Sequence, residues 1–380
     1  MNRIAGREGI QLGKLWGVPI VLAYSWVIIA AFTVVSFGPM LLATMPGLGT
    51  WAYAVALSYA ILLLLSVLVH ELAHAFSAKA FGWATEKIVL NLWGGHTQFN
   101  EFTATPWRSV IVAFAGPLAN FILAGAGWIV TVSAEPSGVP GILWGIFTWT
   151  NFVIGIFNIL PGLPLDGGRL VESIVWRVSG SREKGTIAAG WTGRAIVAVI
   201  VLYFIVWPYL QGNGLDFKFA IITLLVAGFL WMGASEAIRF GAMRLRLPTV
   251  VAGALAEPAL GVPAWATTAQ VLDQLRMAPG VSLVLTGPDG APQALLDAAA
   301  LARVPSELLS TTAVESVSIP LVAGAYVPEH ASGKELIDYL STVDGREYAV
   351  VDAQGRVTGL LRQAVLVAAI TGKAGRGPAR

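Results

Sequence analysis

The sequence contains no cysteine, and only 12% of its 380 residues are charged. The missing thiols exclude disulfides, thiolate nucleophiles and cysteine-ligated metals. Hydrophobic residues make up 56% of the chain, which excludes a wholly water-soluble surface and indicates that part of the chain lies in a lipid bilayer. A formal net charge of +2 gives no reason to expect a nucleic-acid partner.

The few charges are unevenly distributed along the chain. Residues 1–248 contain 15 Lys/Arg and 10 Asp/Glu, a net charge of +5, whereas residues 249–380 contain 9 and 12, a net charge of −3. Thirteen of the 14 Trp also lie in residues 1–248, and indole rings favour membrane interfaces. We therefore predict a membrane domain over residues 1–248, a cytosolic module over 249–372 and a disordered tail over 373–380.

Uncharged runs in the first segment predict six transmembrane helices, because each run approaches the roughly 20 residues that cross the hydrocarbon core. They lie near residues 18–38, 51–81, 109–134, 137–165, 195–215 and 219–235. Fourteen Lys/Arg fall in the connections and ends on one side of the membrane, against only Lys218 on the other. The positive-inside rule then predicts a multi-pass protein of the cell inner membrane with both termini in the cytoplasm.

The second predicted helix ends in the motif His70-Glu71-Leu72-Ala73-His74. Residues four apart share one helix face, so the two imidazoles can bind a single metal ion, and Glu71 lies close enough to activate a water molecule. The alternative is that the two histidines lie on the helix surface at a membrane interface and bind no metal.

Asp166 is the best candidate for a third ligand, because catalytic zinc usually has three protein ligands and one open position. It ends the uncharged run of the fourth predicted helix, which finishes at the same membrane face as the second. Pro161 and Pro164 prevent a regular helix before it, and irregular backbone at membrane depth should line a cavity. Alternatively, Asp166 only caps the following helix.

These motifs resemble the site-2 protease family of intramembrane zinc metalloproteases, and specifically the six-span bacterial branch similar to the sporulation-factor processing protease with a C-terminal pair of CBS modules. The resemblance rests on HELAH at 70–74, AGPLAN at 115–120, NILPGLPLDGG at 158–168, and Gly94-Gly95. It implies a polytopic α-helical membrane protein of six helices, with a small membrane-associated hairpin and a C-terminal α/β CBS-like domain.

The resemblance also implies an activity. One zinc ion per chain, held by His70, His74 and Asp166, would serve hydrolysis of a peptide bond in or next to a transmembrane segment of a membrane-bound substrate, near the cytoplasmic face. Glu71 would be the general base. The implied partners are the lipid bilayer and a membrane-protein substrate such as an anti-sigma factor or similar regulator.

Several further residues enter through the same resemblance. Asn120 and Asn158 are motif asparagines placed near the active site, although either can instead hold helices together by hydrogen bonding. Gly94 and Gly95 belong to a hairpin that can pair with an extended substrate by strand addition. His96 as a fourth ligand would block the open position, so we expect it to act in the loop instead.

Residues 249–372 show an internal repeat. A helix near 334–343 and strands near 348–351 and 357–361 follow an earlier helix near 269–277 and strands near 282–285 and 293–296. This pattern predicts a compact soluble α/β domain, and the resemblance implies a regulatory or dimerisation module of the CBS type, which can join two copies of the chain. Thr358 is not followed by the Asp that CBS pairs often use to bind nucleotides. A role in substrate docking or dimerisation is therefore at least as well supported as nucleotide binding.

Two other function classes remain open at this point. CBS pairs also accompany channels, so a metal or ion transporter with a CBS regulatory module is the main alternative. Transporters commonly contain repeated halves, which the six predicted helices do not show. A catalytically inactive binding scaffold is the third possibility, and the intact Glu71 argues against it.

Overall fold

The structure is a computed structural model that describes residues 9–92, 94–99, 104–212, 214 and 216–372. The chain divides into two compact units, Met1–Gly241 and Ala242–Arg380. The predicted disordered tail, residues 373–380, lies outside the described residues.

Six helices of the described chain are long and apolar enough to cross a membrane, as the sequence predicts. They are Trp26–Thr44, Trp51–Ala80, Pro106–Ala134, Gly138–Ile159, Arg182–Leu210 and Phe217–Thr249. The shortest has 19 residues, about 28 Å at 1.5 Å per residue, which matches the hydrocarbon thickness. Large apolar side chains such as Val35 and Trp128 are exposed on them, as expected for surfaces that face lipid.

The helices of this unit are numbered in chain order. They are α1 (Trp26–Thr44), α2 (Trp51–Ala80), α3 (Pro106–Ala134), α4 (Gly138–Ile159), α5 (Gly167–Ser179), α6 (Arg182–Val201), α7 (Trp207–Leu210) and α8 (Phe217–Arg246). A single π-helical turn over Leu202–Val206 joins α6 to α7.

Several predicted helix boundaries were wrong. The first span was predicted at 18–38, but residues Val18–Ala23 form a strand and α1 begins at Trp26. Pro39 lies inside α1, because continuing the helix leaves fewer backbone groups unpaired in lipid than ending it there. The fifth and sixth helices also extend beyond their uncharged runs, to Arg182 and Arg246, since charged residues are tolerated at the membrane interface.

A four-stranded sheet accompanies α2. Its strands are β1 (Gly9–Leu15), β2 (Val18–Ala23), β3 (Thr85–Asn91) and β4 (Gly94–Phe99), in that order. The predicted hairpin corresponds to β3 and β4, which pair antiparallel, whereas β2 and β3 pair parallel. The sequence analysis missed β1 and β2, because the apolar residues 18–23 were assigned to the first transmembrane helix.

Side chains from β2, β3 and α2 form the core beneath this sheet. Ile20, Ile88, Leu90 and Ala75 are buried together. Successive side chains of a strand point to opposite faces, so one face of β2 and β3 packs on the helix that contains the HELAH motif. The sheet is thereby fixed beside the predicted metal ligands.

The second unit is an α/β domain with a seven-stranded sheet, which confirms the predicted CBS-like fold class. Its strands are β5 (Glu257–Pro263), β6 (Ser282–Thr286), β7 (Pro292–Leu296), β8 (Ser318–Pro320), β9 (Tyr326–Pro328), β10 (Glu347–Val351) and β11 (Val357–Arg362), in the sheet order β8-β7-β6-β5-β11-β10-β9. Its helices are α9 (Ala252–Leu255), α10 (Thr268–Met277), α11 (Ala298–Leu301), α12 (Gly333–Thr342) and α13 (Gln363–Thr371).

The internal repeat is present in this unit. The elements α10, β6 and β7 of the first copy recur in the same order and at the same spacing as α12, β10 and β11 of the second. Each copy has its own apolar core. Leu336, Leu340 and Leu361 belong to one core, and Val271 and Leu285 to the other.

Candidate metal centre

The two histidines of the HELAH motif lie in the last third of α2, one helical turn apart. His70 and His74 are 5% and 6% exposed, and Glu71 between them is 4% exposed. Burial of three ionisable side chains in a helix that spans lipid is costly unless each has a partner of complementary charge or hydrogen bonding. The position of this triplet therefore indicates a functional site.

Asp166 meets both histidines, although it is distant from them in the chain. Its Oδ2 is 3.0 Å from His70 Nε2 and 3.2 Å from His74 Nε2. The two Nε2 atoms are themselves 3.0 Å apart. Such mutual distances allow all three atoms to share one coordination sphere.

The loop after α4 carries Asp166 to this position. Helix α4 ends at Ile159, and the Leu163 amide donates to the Ala189 carbonyl of α6 at 3.0 Å. Gly162 lies against Gly193 so closely that an added Cβ would be 2.5 Å from the Gly193 Cα. Asp166 directly precedes α5, but its side chain makes no capping hydrogen bond there. Its carboxylate is turned toward the histidines instead of serving as a helix cap.

Helix α3 closes the other side of the two imidazoles. A Cβ on Gly116 would lie 2.6 Å from His70 Nε2 and would also collide with His74 Nε2. Only a glycine lets the α3 backbone approach this closely. The AGPLAN motif therefore contributes close backbone packing against the imidazoles as well as the polar side chain of Asn120.

Both histidines donate from their Nδ1 atoms to fixed acceptors. His70 Nδ1 lies 2.6 Å from Asn120 Oδ1, and His74 Nδ1 lies 2.7 Å from the Val112 carbonyl. A neutral imidazole that donates from Nδ1 presents a lone pair at Nε2. Metal-bound histidines almost always have such an outer hydrogen bond, which sets their tautomer and ring orientation.

The resulting arrangement fits a divalent metal such as zinc. When both rings are neutral and donate from Nδ1, two Nε2 lone pairs and one carboxylate oxygen converge at about 3 Å. A cation between these three acceptors would remove their mutual repulsion. Two nitrogens and one oxygen also match the three-ligand set of catalytic zinc.

Glu71 faces β4. Thr97 Oγ1 donates to Glu71 Oε2 at 2.7 Å, and a Cβ on Gly95 would lie 2.5 Å from Glu71 Cγ. Residues 95 and 97 share one face of the strand, whereas Gly94 and His96 share the other. His96 is exposed and bonds to Gln98, which places it outside the cluster of ligands.

The remaining predicted residues are placed as follows. Gly94 begins β4 with φ of +117°, a conformation that favours glycine. Asn158 lies half-buried in the last turn of α4, and its side chain makes no hydrogen bond within the described part of the chain. Asn120 is fully buried, and its Oδ1 lies 2.6 Å from His70 Nδ1. Thus Asn120 and Asn158 occupy different environments.

Sequence reasoning missed three partners of this site. Val112 contributes only its backbone carbonyl, which no side-chain pattern reveals. Gly116 was recognised as part of a motif, without its packing role. Thr97 could have been found from strand alternation, since it follows Gly95 by two residues in a predicted extended segment.

The chain is similar to several known proteins. Residues 58–140 and 137–203 match the model of Peptidase family M50. A putative zinc metalloprotease of Synechocystis sp. is 28% identical over 372 residues, 95% of each chain. The solved site-2 protease of Methanocaldococcus jannaschii is 28% identical and covers 60% of this chain and 95% of that one, with a TM-score of 0.43. The CBS domain of a bacterial CNNM/CorC family Mg²⁺ transporter is 20% identical and covers 40% of this chain and 96% of that one, with a TM-score of 0.28.

Proposed function

We propose that this chain is a member of peptidase family M50, the site-2 proteases, and that it hydrolyses a peptide bond in or next to a transmembrane segment of a membrane-bound substrate. The observation that carries the proposal is the convergence of His70, His74 and Asp166 beside the buried Glu71 in a membrane helix. A purely structural zinc would need no carboxylate base beside its ligands.

The residues that would hold zinc are His70, His74 and Asp166, with one ion per chain. When bound, zinc supplies Lewis-acid polarisation of the scissile carbonyl and lowers the pKa of water toward neutrality. The protein's own contribution is a fixed set of ligands, oriented by Asn120 and the Val112 carbonyl.

Glu71 is the general base in this proposal. Its carboxylate accepts the proton of the attacking water and later delivers it to the leaving amine. The hydrogen bond from Thr97 and the close approach of Gly95 hold the carboxylate in one position. Position matters here, because proton transfer requires the base within hydrogen-bond reach of the water.

The two motif asparagines have separate roles. Asn120 positions His70, because its Oδ1 accepts a hydrogen bond from the Nδ1–H group of His70. The Asn158 amide has no hydrogen bond within the described chain, so it is free to donate to the oxyanion that develops at the scissile carbonyl. Asn158 is therefore the catalytic member of this pair.

Strand β4 is the proposed docking site for substrate. Among the described residues, only β3 pairs with it, so its other edge offers unpaired backbone groups. An extended segment can add to such an edge as a further strand. Strand addition next to Glu71 would unfold a substrate helix locally, and helical amides are otherwise shielded from attack. Gly94 and Gly95 leave room for the approaching backbone.

The positive-inside distribution supports an inner-membrane protein whose termini and active site face the cytoplasm. A regulator such as an anti-sigma factor is the substrate class that this location suits. The second unit can recognise substrate or join two copies of the chain. No observation on the described residues favours the transporter alternative.

Zinc content and cleavage, measured on the same preparations, test the proposal. Glu71→Gln should retain zinc and lose cleavage of single-span membrane proteins, whereas Asp166→Ala should lose both. Glu86→Gln is the matched control, because Glu86 is an exposed carboxylate in β3, and should retain both. Full cleavage by Glu71→Gln would contradict the protease assignment of this site.

A further inference from the structure

Three buried polar side chains form a hydrogen-bonded chain behind His70. Ser66 of α2 is 1% exposed, and Asn120 of α3 and Asn151 of α4 are fully buried. Buried amides are costly unless hydrogen-bonded, and here each one is. His70 Nδ1 lies 2.6 Å from Asn120 Oδ1, Asn120 Nδ2 donates to Asn151 Oδ1 at 2.8 Å, and Asn151 Nδ2 donates to Ser66 Oγ at 2.9 Å.

A backbone carbonyl sets the direction of this chain. Asn151 Nδ2 also lies 2.9 Å from the Phe147 carbonyl oxygen, which can only accept, so the Asn151 atom facing it must be the amide nitrogen. Asn151 therefore turns its oxygen to Asn120. Asn120 must present its nitrogen to that oxygen and its own oxygen to His70.

The far end of the chain agrees with this direction. Ser66 Oγ donates to the Leu62 carbonyl at 2.8 Å, which leaves its lone pairs to accept from Asn151. Two backbone carbonyls, of Leu62 and Phe147, thus fix every donor and acceptor up to His70. The only consistent outcome is a proton on His70 Nδ1, which in the neutral ring leaves the lone pair on Nε2.

Asn120 alone could not impose this outcome. The oxygen and nitrogen of an amide have nearly the same shape, so an amide free to rotate can present either atom to an imidazole. Asn151 removes that freedom. His74 needs no such device, because its Nδ1 faces the Val112 carbonyl directly.

We propose that Asn151, anchored by Ser66, is a positioning residue for the metal centre. Acting through Asn120, it keeps His70 in the tautomer and orientation that direct Nε2 toward His74 and Asp166. This inference rests on the proposed metal centre, but it concerns Asn151 and Ser66, whose side chains are linked to His70 through Asn120.

The test uses the full chain in detergent micelles. Asn151→Leu keeps the approximate volume and removes all three hydrogen bonds of the Asn151 side chain. It should weaken Zn²⁺ binding, measured by competition with a chromophoric chelator, by about tenfold, the low end for outer hydrogen-bond partners of metal ligands. Thr223→Val is the matched control and should bind Zn²⁺ as the wild type does. Thr223 is a buried residue in α8 whose hydroxyl, among the described residues, bonds only to the Phe219 carbonyl of its own helix.

A second measurement reports the tautomer directly. In the metal-free wild type, ¹⁵N-edited spectra of the imidazoles, with His70 assigned by His70→Gln, should show the proton on Nδ1. In Asn151→Leu the Nε2–H form should become populated. A merely structural role for Asn151 would change unfolding temperature without changing this signal.

Two outcomes would overturn the inference. One is a folded Asn151→Leu variant with wild-type Zn²⁺ affinity. The other is an Nε2–H tautomer in the metal-free wild type, which decides the matter even if Asn151→Leu does not fold. Wild-type protein that binds Zn²⁺ but cleaves no membrane substrate would instead contradict the proposed function, while the affinity and tautomer results would still decide the role of Asn151.

Discussion

At the residue scale, Gly116 determines how closely α3 approaches the two imidazoles. Gly116→Ala would place a Cβ 2.6 Å from His70 Nε2, so either α3 or the imidazole ring must move. Overpacking of this kind costs about 1–3 kcal/mol, and here it would displace the ligands His70 and His74. We expect zinc content after dialysis against a chelator to fall well below that of the wild type.

Gly125 provides a control on the same helix. A Cβ there meets nothing within 4 Å, so Gly125→Ala should retain zinc and be neutral or slightly stabilising, as alanine is the better helix former. Equal zinc contents in the two variants would show that α3 does not constrain the ligands.

The residues of the site differ in how far the sequence could predict them. His70, Glu71 and His74 follow from helical spacing, and the structure brings Asp166 to them as the order of the helices suggested. The sequence does not indicate a role for Asn151. Its contribution depends on the direction of one carbonyl in its own helix, and on Asn120 and Ser66 of two others.

At the element scale, β4 connects the proposed substrate edge to the general base. Thr97→Val keeps the β-branched shape but removes the hydroxyl that donates to Glu71 Oε2. Hydrogen bonds to charged groups contribute about 1.5–3 kcal/mol, so we expect kcat to fall about tenfold, with zinc content unchanged. Thr97→Ser, which keeps the hydroxyl, should retain most of the activity.

Thr85→Val is the matched control in the same sheet. The Thr85 hydroxyl is buried and has no hydrogen-bond partner within the described part of the chain, so its removal breaks no contact with the site. A comparable loss of kcat in Thr85→Val and Thr97→Val would mean that the sheet, not the contact to Glu71, is responsible.

Element boundaries show where sequence reasoning fails physically. Uncharged runs locate the part of a helix that lies in hydrocarbon, but α6 and α8 continue through charged residues at the interface. Strands β1 and β2 were missed because residues 18–23 are apolar enough to begin a membrane helix. The burial of Ile20 in β2 against Ile88 and Leu90 depends on β3, which follows only after both α1 and α2 in the chain.

At the scale of the whole molecule, the orientation in the membrane can be measured because the chain has no cysteine. Single cysteines can be introduced without background labelling. Gly47 is exposed in the α1–α2 connection, and Ser179 is exposed at the end of α5. In intact cells a membrane-impermeant maleimide should label Gly47→Cys, whereas Ser179→Cys should react only after the membrane is permeabilised.

Retained cleavage activity provides the control for both cysteine variants, since neither residue contacts the metal centre. The reverse labelling pattern would place His70 and Asp166 at the outer face of the membrane. It would contradict the cytoplasmic active site proposed from the distribution of Lys and Arg.

The segment that leads into the second unit connects the two copies of its repeat. Val250 and Ala252, which precede the first copy of the repeat, are buried among Leu336 and Leu361 of the second copy, and the Ala252 amide donates to the Ala331 carbonyl at 2.9 Å. Strand β5 then pairs with one strand from each copy. A deletion that removed one copy of the repeat would also remove contacts that the remaining copy needs. This module should therefore be gained, lost or unfolded only as an indivisible whole.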